Sequence, residues 1–148
     1  MRIDVCGALS IEADGAAVRE QDLPGRQGRR LWTYLVLHRR RPMGRDELAE
    51  ALWGDAVPDA WDESLNAVVS RLRAALRPLP AIELRGATGS YQLRLPEGAL
   101  VDRERAWEAI HHVQAIRRRG DIRAAWTEAV IAHEIAARGF LAGESGGW

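Results

Sequence analysis

The stretch "SLNAVVSRLRAALR", residues Ser64 to Arg77, holds the side chains of this chain best suited to recognition chemistry. An arginine fork can pair with guanine or grip a phosphate, an asparagine amide can pair with adenine, and a serine hydroxyl can serve either. Setting Leu65 at zero and turning about 100° per residue puts Leu65, Val68, Val69, Leu72 and Leu76 on one core-facing side. Ala67 and Ala74 fall opposite, with Asn66, Ser70, Arg73 and Arg77 on one flank and Arg71 on the other. Small residues at the centre of an exposed face let a helix approach closely, as entry into the DNA major groove requires. Any amphipathic surface helix carries arginines, so the neighbouring elements must decide what this one does.

Those elements are legible from pattern. "RIDVCGALSIEADGAAVRE" alternates in short apolar pieces around Gly7 and Asp14-Gly15, which predicts a small N-terminal antiparallel sheet. From Arg29, "RRLWTYLVLHRR" predicts a largely buried helix that runs until Pro42 stops it. "GRDELAEALWG" predicts a short second helix, with Gly44 as N-cap, Glu47 three residues on and Gly54 as its stop. A third helix, capped by Asp59 or Asp62, is expected to continue through Arg77 and to end at Pro78 and Pro80. "AIELRGATGSYQLRLP" then predicts a hairpin with its tip at Gly86 to Gly89.

Residues 102 to 138 carry two helical patterns split by "RGD" at 119 to 121, an expected antiparallel pair. Trp32, Trp53, Trp107 and Trp126 occupy apolar helical positions and are expected mostly in the core, while Trp61 lies in an acidic linker. Two helices bury one face only, so the pair is expected to lean on the preceding unit, another chain or further sequence. The abrupt "FLAGESGGW" leads one to expect a fragment of a longer chain.

All 21 basic residues are arginine, and 21 acids balance them to a formal net charge of zero. That neutrality is unevenly built. Residues 1 to 22 carry −3, 23 to 45 carry +7, 46 to 63 carry −7, 64 to 94 carry +4 and 95 to 148 carry −1. Fixed charges are screened within about 8 to 10 Å in cell-like salt, so a basic face can act locally. The basic ends of the first helix, with Arg45 and Arg85, could hold a DNA backbone on either side of the Ser64 to Arg77 helix, with the acidic block facing away.

A helix, a short capped helix and a longer basic helix followed at once by a β-hairpin is the order of a winged helix-turn-helix, whose last helix enters the groove. "LHRRRPMGRDELAEALWGD", "SLNAVVSRLRAAL" and "GSYQLRL" resemble the winged-helix domain of the SARP (Streptomyces antibiotic regulatory protein) transcription regulators. "GDIRAAWTEAVIAHEIAARGFLAGE" resembles the start of the bacterial transcriptional activator domain that follows it. Two positions depart from the pattern: Gly44 stands where Ser is frequent and Ala74 where a further Arg is.

The resemblance implies an α+β fold: an OmpR-type winged helix over residues 1–96, with N-terminal antiparallel sheet and C-terminal hairpin wing, then a partial tetratricopeptide-like helical hairpin over 99–148. It implies a bacterial activator that binds promoter direct repeats in double-stranded DNA, engages RNA polymerase and pairs as a homodimer on DNA. Asn66, Ser70, Arg71, Arg73 and Arg77 would lie on the recognition helix, Arg45 at the start of the helix before it, and Arg85 and Thr88 on the wing. A rival reading keeps the fold without DNA binding, as a protein-interaction module of a larger signalling regulator.

Other chemistry finds little support. His111 and His112 point about 100° apart on a helix, without zinc-like spacing of other ligands, so no metal is expected. His38 near a helix C-terminus is expected to be structural. No phosphate-binding glycine loop, nucleophile elbow or catalytic carboxylate pair is present, so neither an enzyme nor a cofactor is expected. Cys6 reads as a buried, inert thiol. Neither a membrane span nor a secretory signal is found, which predicts a cytoplasmic protein, and the expected DNA binding would associate it with the nucleoid.

Overall fold

A computed structural model of the chain describes residues 1–141. The chain divides into two compact units: Met1–Glu12 with the segment from Gly98 onward, and Ala13–Glu97.

In the second of these, strand β3 (Ala16–Arg19) follows a tight turn in which Asp14 and Gly15 both take positive φ, 50° and 80°. Helix α1 (Gly25–His38) begins one turn earlier than Arg29, the residue where the apolar pattern starts. Pro24 fills its N-cap, where a missing N–H costs nothing. Gly28 makes the early start possible: a Cβ there would lie 2.3 Å from Cγ of Pro24. Leu31, Trp32, Leu35 and Val36 are fully buried. They face helix α2 (Arg45–Trp53) and helix α3 (Trp61–Ala75), which contribute Leu48, Leu52, Leu65 and Leu72, also fully buried. At about 1.5 to 3 kcal/mol for each large apolar side chain, this three-helix contact is the unit's main source of cohesion.

Strands β4 (Met43–Gly44), β5 (Glu83–Ala87) and β6 (Ser90–Arg94) form an antiparallel sheet in the order β4-β6-β5. The β5–β6 pairs run from Glu83↔Arg94 to Ala87↔Ser90, so Gly86 and Ala87 belong to the ladder and only Thr88-Gly89 turn the corner. The tip is therefore shorter than the expected Gly86 to Gly89 turn. Gly89, at φ 76°, supplies the left-handed residue such a turn needs.

In the other unit, β1 (Arg2–Asp4) pairs antiparallel with β2 (Ser10–Ala13), Ile3 opposite Ile11, and parallel with β7 (Leu100–Val101), Ile3 opposite Val101. Helix α4 (Asp102–Arg118) opens on the buried Asp102, whose carboxylate accepts the backbone N–H groups of Val5 (2.9 Å), Cys6 (3.0 Å) and Arg103 (2.7 Å). Burial, seconded by this carboxylate, pushes the Cys6 thiol up to about 11, which holds it protonated. Helix α5 (Ile122–Ala137) is capped by Asp121, which accepts from Ala124 N–H at 3.0 Å.

The α4–α5 pair meets over Ala109 and Ala125, and Arg105 grips Glu128 through two N–H groups. Small residues at this seam bring the helices close and leave the large ones outside. Trp107 and Trp126, expected mostly in the core, are 61% and 72% exposed, and Trp53 is only half-buried; Trp32 alone of the four is fully buried. A two-helix hairpin has one inner seam, and the exposed tryptophans lie outside it.

Candidate nucleic-acid interface

Leu65, Val68, Val69, Leu72 and Leu76 are all buried, which turns Asn66, Ala67, Ser70, Arg71, Arg73 and Ala74 to solvent. Two details differ from the sequence expectation. The N-cap is Ala60 rather than Asp59 or Asp62, because Asp62 already lies in the first turn. The helix closes at Ala75, and Arg77 stands in the turn beyond, exposed, its N–H bonded to Ala74 O at 3.3 Å. Pro78 accounts for the shorter helix, since its ring disfavours the helical conformation at the residue before it.

Three predicted DNA-binding residues converge on one side chain that the sequence did not single out, Tyr91 of β6. The Arg45 guanidinium donates through Nη1 to the phenol oxygen (2.9 Å), through Nε to Asp62 Oδ1 (2.7 Å), and through Nη2 to Asn66 Oδ1 (3.0 Å) and Asp62 O (3.2 Å). The Tyr91 hydroxyl in turn donates to Asn66 Oδ1 at 3.2 Å. Arg73 donates from Nε and Nη2 to the carbonyl of Leu84 on β5, at 3.2 and 2.9 Å. The guanidinium carbons of Arg45 and Arg73 lie 5.6 and 5.8 Å from the Tyr91 ring centroid, within cation–π range.

Ser70 and Arg77 have no such tether among the described residues, and Arg71 only folds back to Ala67 O at 3.2 Å. On the hairpin, Arg85 is exposed and paired with Glu83, and Thr88 sits exposed at the tip.

The acidic block is not simply set apart. Besides Asp62 on Arg45, Glu47 accepts from Arg41 Nη1 (2.8 Å) and Tyr34 OH (2.8 Å). The Arg41 hydrogen bonds, then those from Tyr34 and the Gly44 N–H, hold the Glu47 carboxyl down at about 2 against an opposing desolvation. The Gly44 contact is the returning half of the expected capping box. Elsewhere, the His38 ring stacks on Tyr34 with centroids 4.4 Å apart, the His111 ring meets Trp107 edge-on, and His112 faces Glu128 at 3.8 Å.

Residues 22–86 match the family described as "transcriptional regulatory protein, C terminal". The chain is also similar to a solved structure of Mycobacterium tuberculosis EmbR, a SARP-family regulator, in complex with a low affinity phosphopeptide: 26% identity, TM-score 0.71, over 90% of this chain and 35% of EmbR. No curated protein matches the chain.

Residues 22–86 form an OmpR-type winged-helix domain. The order of elements agrees: α2 and α3 are the helix-turn-helix, and β5–β6 is the wing. SARP-type winged helices belong to a class of DNA-binding transcription regulators, which carry no enzymatic activity as a rule. The chain spans about a third of the EmbR chain. Among the described residues, no helix is long and apolar enough to cross a membrane.

Proposed function

We propose that this chain is a sequence-specific regulator that lays α3 in the major groove of promoter DNA, with the β5–β6 wing beside it. The observation that carries the reading is the outer face of α3. There Ala67 and Ala74 leave a low surface beside Ser70 and Arg71, with Arg77 in the turn that follows and a hairpin bearing Arg85 and Thr88 alongside. A groove-bound helix needs that combination of close approach and forked donors.

In this reading residues 1–96 act as the DNA-binding domain and 99–148 as the start of a helical activator domain. The regulator activates transcription from direct repeats, as a homodimer in contact with RNA polymerase, in the cytoplasm at the nucleoid. Footprinting on DNA upstream of its own gene, at two salt concentrations, tests this: protected repeats should weaken steeply as salt rises, because bound arginines displace counterions. Absence of any protected site, with low-salt binding also absent, would refute it. The exposed Trp107, Ile110, Ile122, Trp126 and Val130 of α4 and α5 favour a protein contact by the helical unit. That contact would be insensitive to salt and to Arg77→Ala.

A further inference from the structure

We propose that Arg45 and Arg73 are positioning residues rather than DNA contacts: together with Tyr91 they fix the wing against the recognition helix. This rests on the DNA-binding reading for its consequence, though not for its geometry.

A guanidinium has five N–H donors. Arg45 spends four contacts on Asp62, Asn66 and Tyr91, and its backbone N–H bonds Gly89 O at the wing tip (3.2 Å). One N–H remains, too few for the two-pronged grip that makes arginine a phosphate clamp. Its charge is also met by Asp62. The residue thus joins three elements, the start of α2, the first two turns of α3 and strand β6, at one planar group.

Arg73 completes the arrangement from the far end of α3. Its fork closes on Leu84 O while its guanidinium lies near the Tyr91 ring. Gly86, directly across from Tyr91 in the ladder, supplies the room: a Cβ there would lie 3.3 Å from both Arg73 Nη2 and Tyr91 Cε1, tighter than ordinary packing. The pair of arginines on one tyrosine therefore sets the wing's place at two points along α3. Asn66 is fixed by the same network. Guanidinium and phenol both donate to its Oδ1, so its amide offers the outside only N–H donors.

The test compares Tyr91→Phe, Arg45→Lys and Arg45→Gln with wild type in the full chain, after circular dichroism confirms that each is folded. Two quantities are read: affinity for a short mixed-sequence DNA duplex across a salt series, and backbone amide exchange of Leu84 to Gly89 in the free protein. Positioning predicts faster wing exchange in all three. Tyr91→Phe should lose about three- to tenfold in affinity, the scale of one hydrogen bond. Arg45→Lys should lose at least as much although its charge is kept, because one ammonium cannot span three partners. The log–log salt slope should not change in any of them.

A direct phosphate contact predicts otherwise. Arg45→Lys would keep wild-type affinity, and Arg45→Gln would lower the slope by about 0.9. That result, or unchanged wing exchange in Tyr91→Phe, overturns the proposal. Should wild type bind no duplex at any salt, the DNA-binding reading fails, while the exchange data still decide whether the network holds the wing.

Discussion

Replacing Glu47 by Gln tests how the helix-turn-helix is anchored to α1. The carboxylate accepts from Tyr34, Arg41 and the Gly44 N–H, and is only 28% exposed, whereas its Arg41 partner is 53% exposed. A hydrogen bond to a charged group contributes about 1.5 to 3 kcal/mol, and the exposed Arg41 arm adds little because water screens it. Gln keeps the shape and one acceptor, so a loss of about 1.5 kcal/mol at neutral pH is expected.

Its pH dependence carries the stronger test. Glu47 titrates near 2 in the fold against an ordinary 4.5, so the folded state favours the ionised form. The resulting stabilisation is complete above about pH 4.5 and is lost as pH falls through about 2. Urea melts of wild type and Glu47→Gln across that window should show their difference shrinking toward acid. Other carboxylates titrate in both proteins and cancel in the difference. A difference that stays level from neutral pH to about pH 2 would refute the reasoning.

Gly28→Ala should destabilise by about 1 to 2 kcal/mol, since overpacking against Pro24 outweighs the roughly 1 kcal/mol that alanine gains in a helix. Adding Pro24→Ala should restore the melting temperature. Thr33→Val should raise stability by about 1 kcal/mol in denaturant melts, because the fully buried Thr33 hydroxyl has no partner among the described residues. Arg77→Ala should weaken binding to its own promoter about tenfold and broaden the selected sites, whereas Arg85→Ala should weaken all duplexes alike and lower the salt slope by about 0.9. Site selection from random DNA separates those two outcomes.

Much of the fold was legible because periodicity and local capping report short-range physics. The Leu65 to Leu76 stripe, the Gly44 N-cap, the Gly54 stop and the Leu84/Leu93 hairpin are fixed by residues within one element or one turn. What escaped depends on partners far along the chain. Arg45 and Tyr91 are 46 residues apart, and they meet because Gly44 pairs with Ser90 across β4 and β6. The parallel pairing of Ile3 with Val101 groups residues 1–12 with the segment from Gly98, and no alternation pattern announces it. Trp107 and Trp126 misled for a related reason: an apolar residue at helical spacing is consistent with either side of a thin hairpin, and the residues buried on these helices include the small Ala109 and Ala125.

The same pairing revises how a neutral chain would hold DNA. The +7 segment from 23 to 45 looked like the source of grip, yet Arg41 is closed on Glu47 and Arg45 on Asp62, both from the −7 segment that follows. Two of the seven arginines of residues 23 to 45 are thus spent on joining α1, α2 and α3. In the proposed DNA-binding reading, the arginines left for phosphate and base are Arg71 on α3 and Arg77 in the turn after it, with Arg85 on the wing shared with Glu83. Three such contacts give a log–log salt slope of about −3, where seven basic neighbours would give about −6. A measured slope near the smaller value ties affinity to α3 and the wing; one near the larger would return the grip to the arginines of 23 to 45 and require the Arg41 and Arg45 pairs to open on DNA.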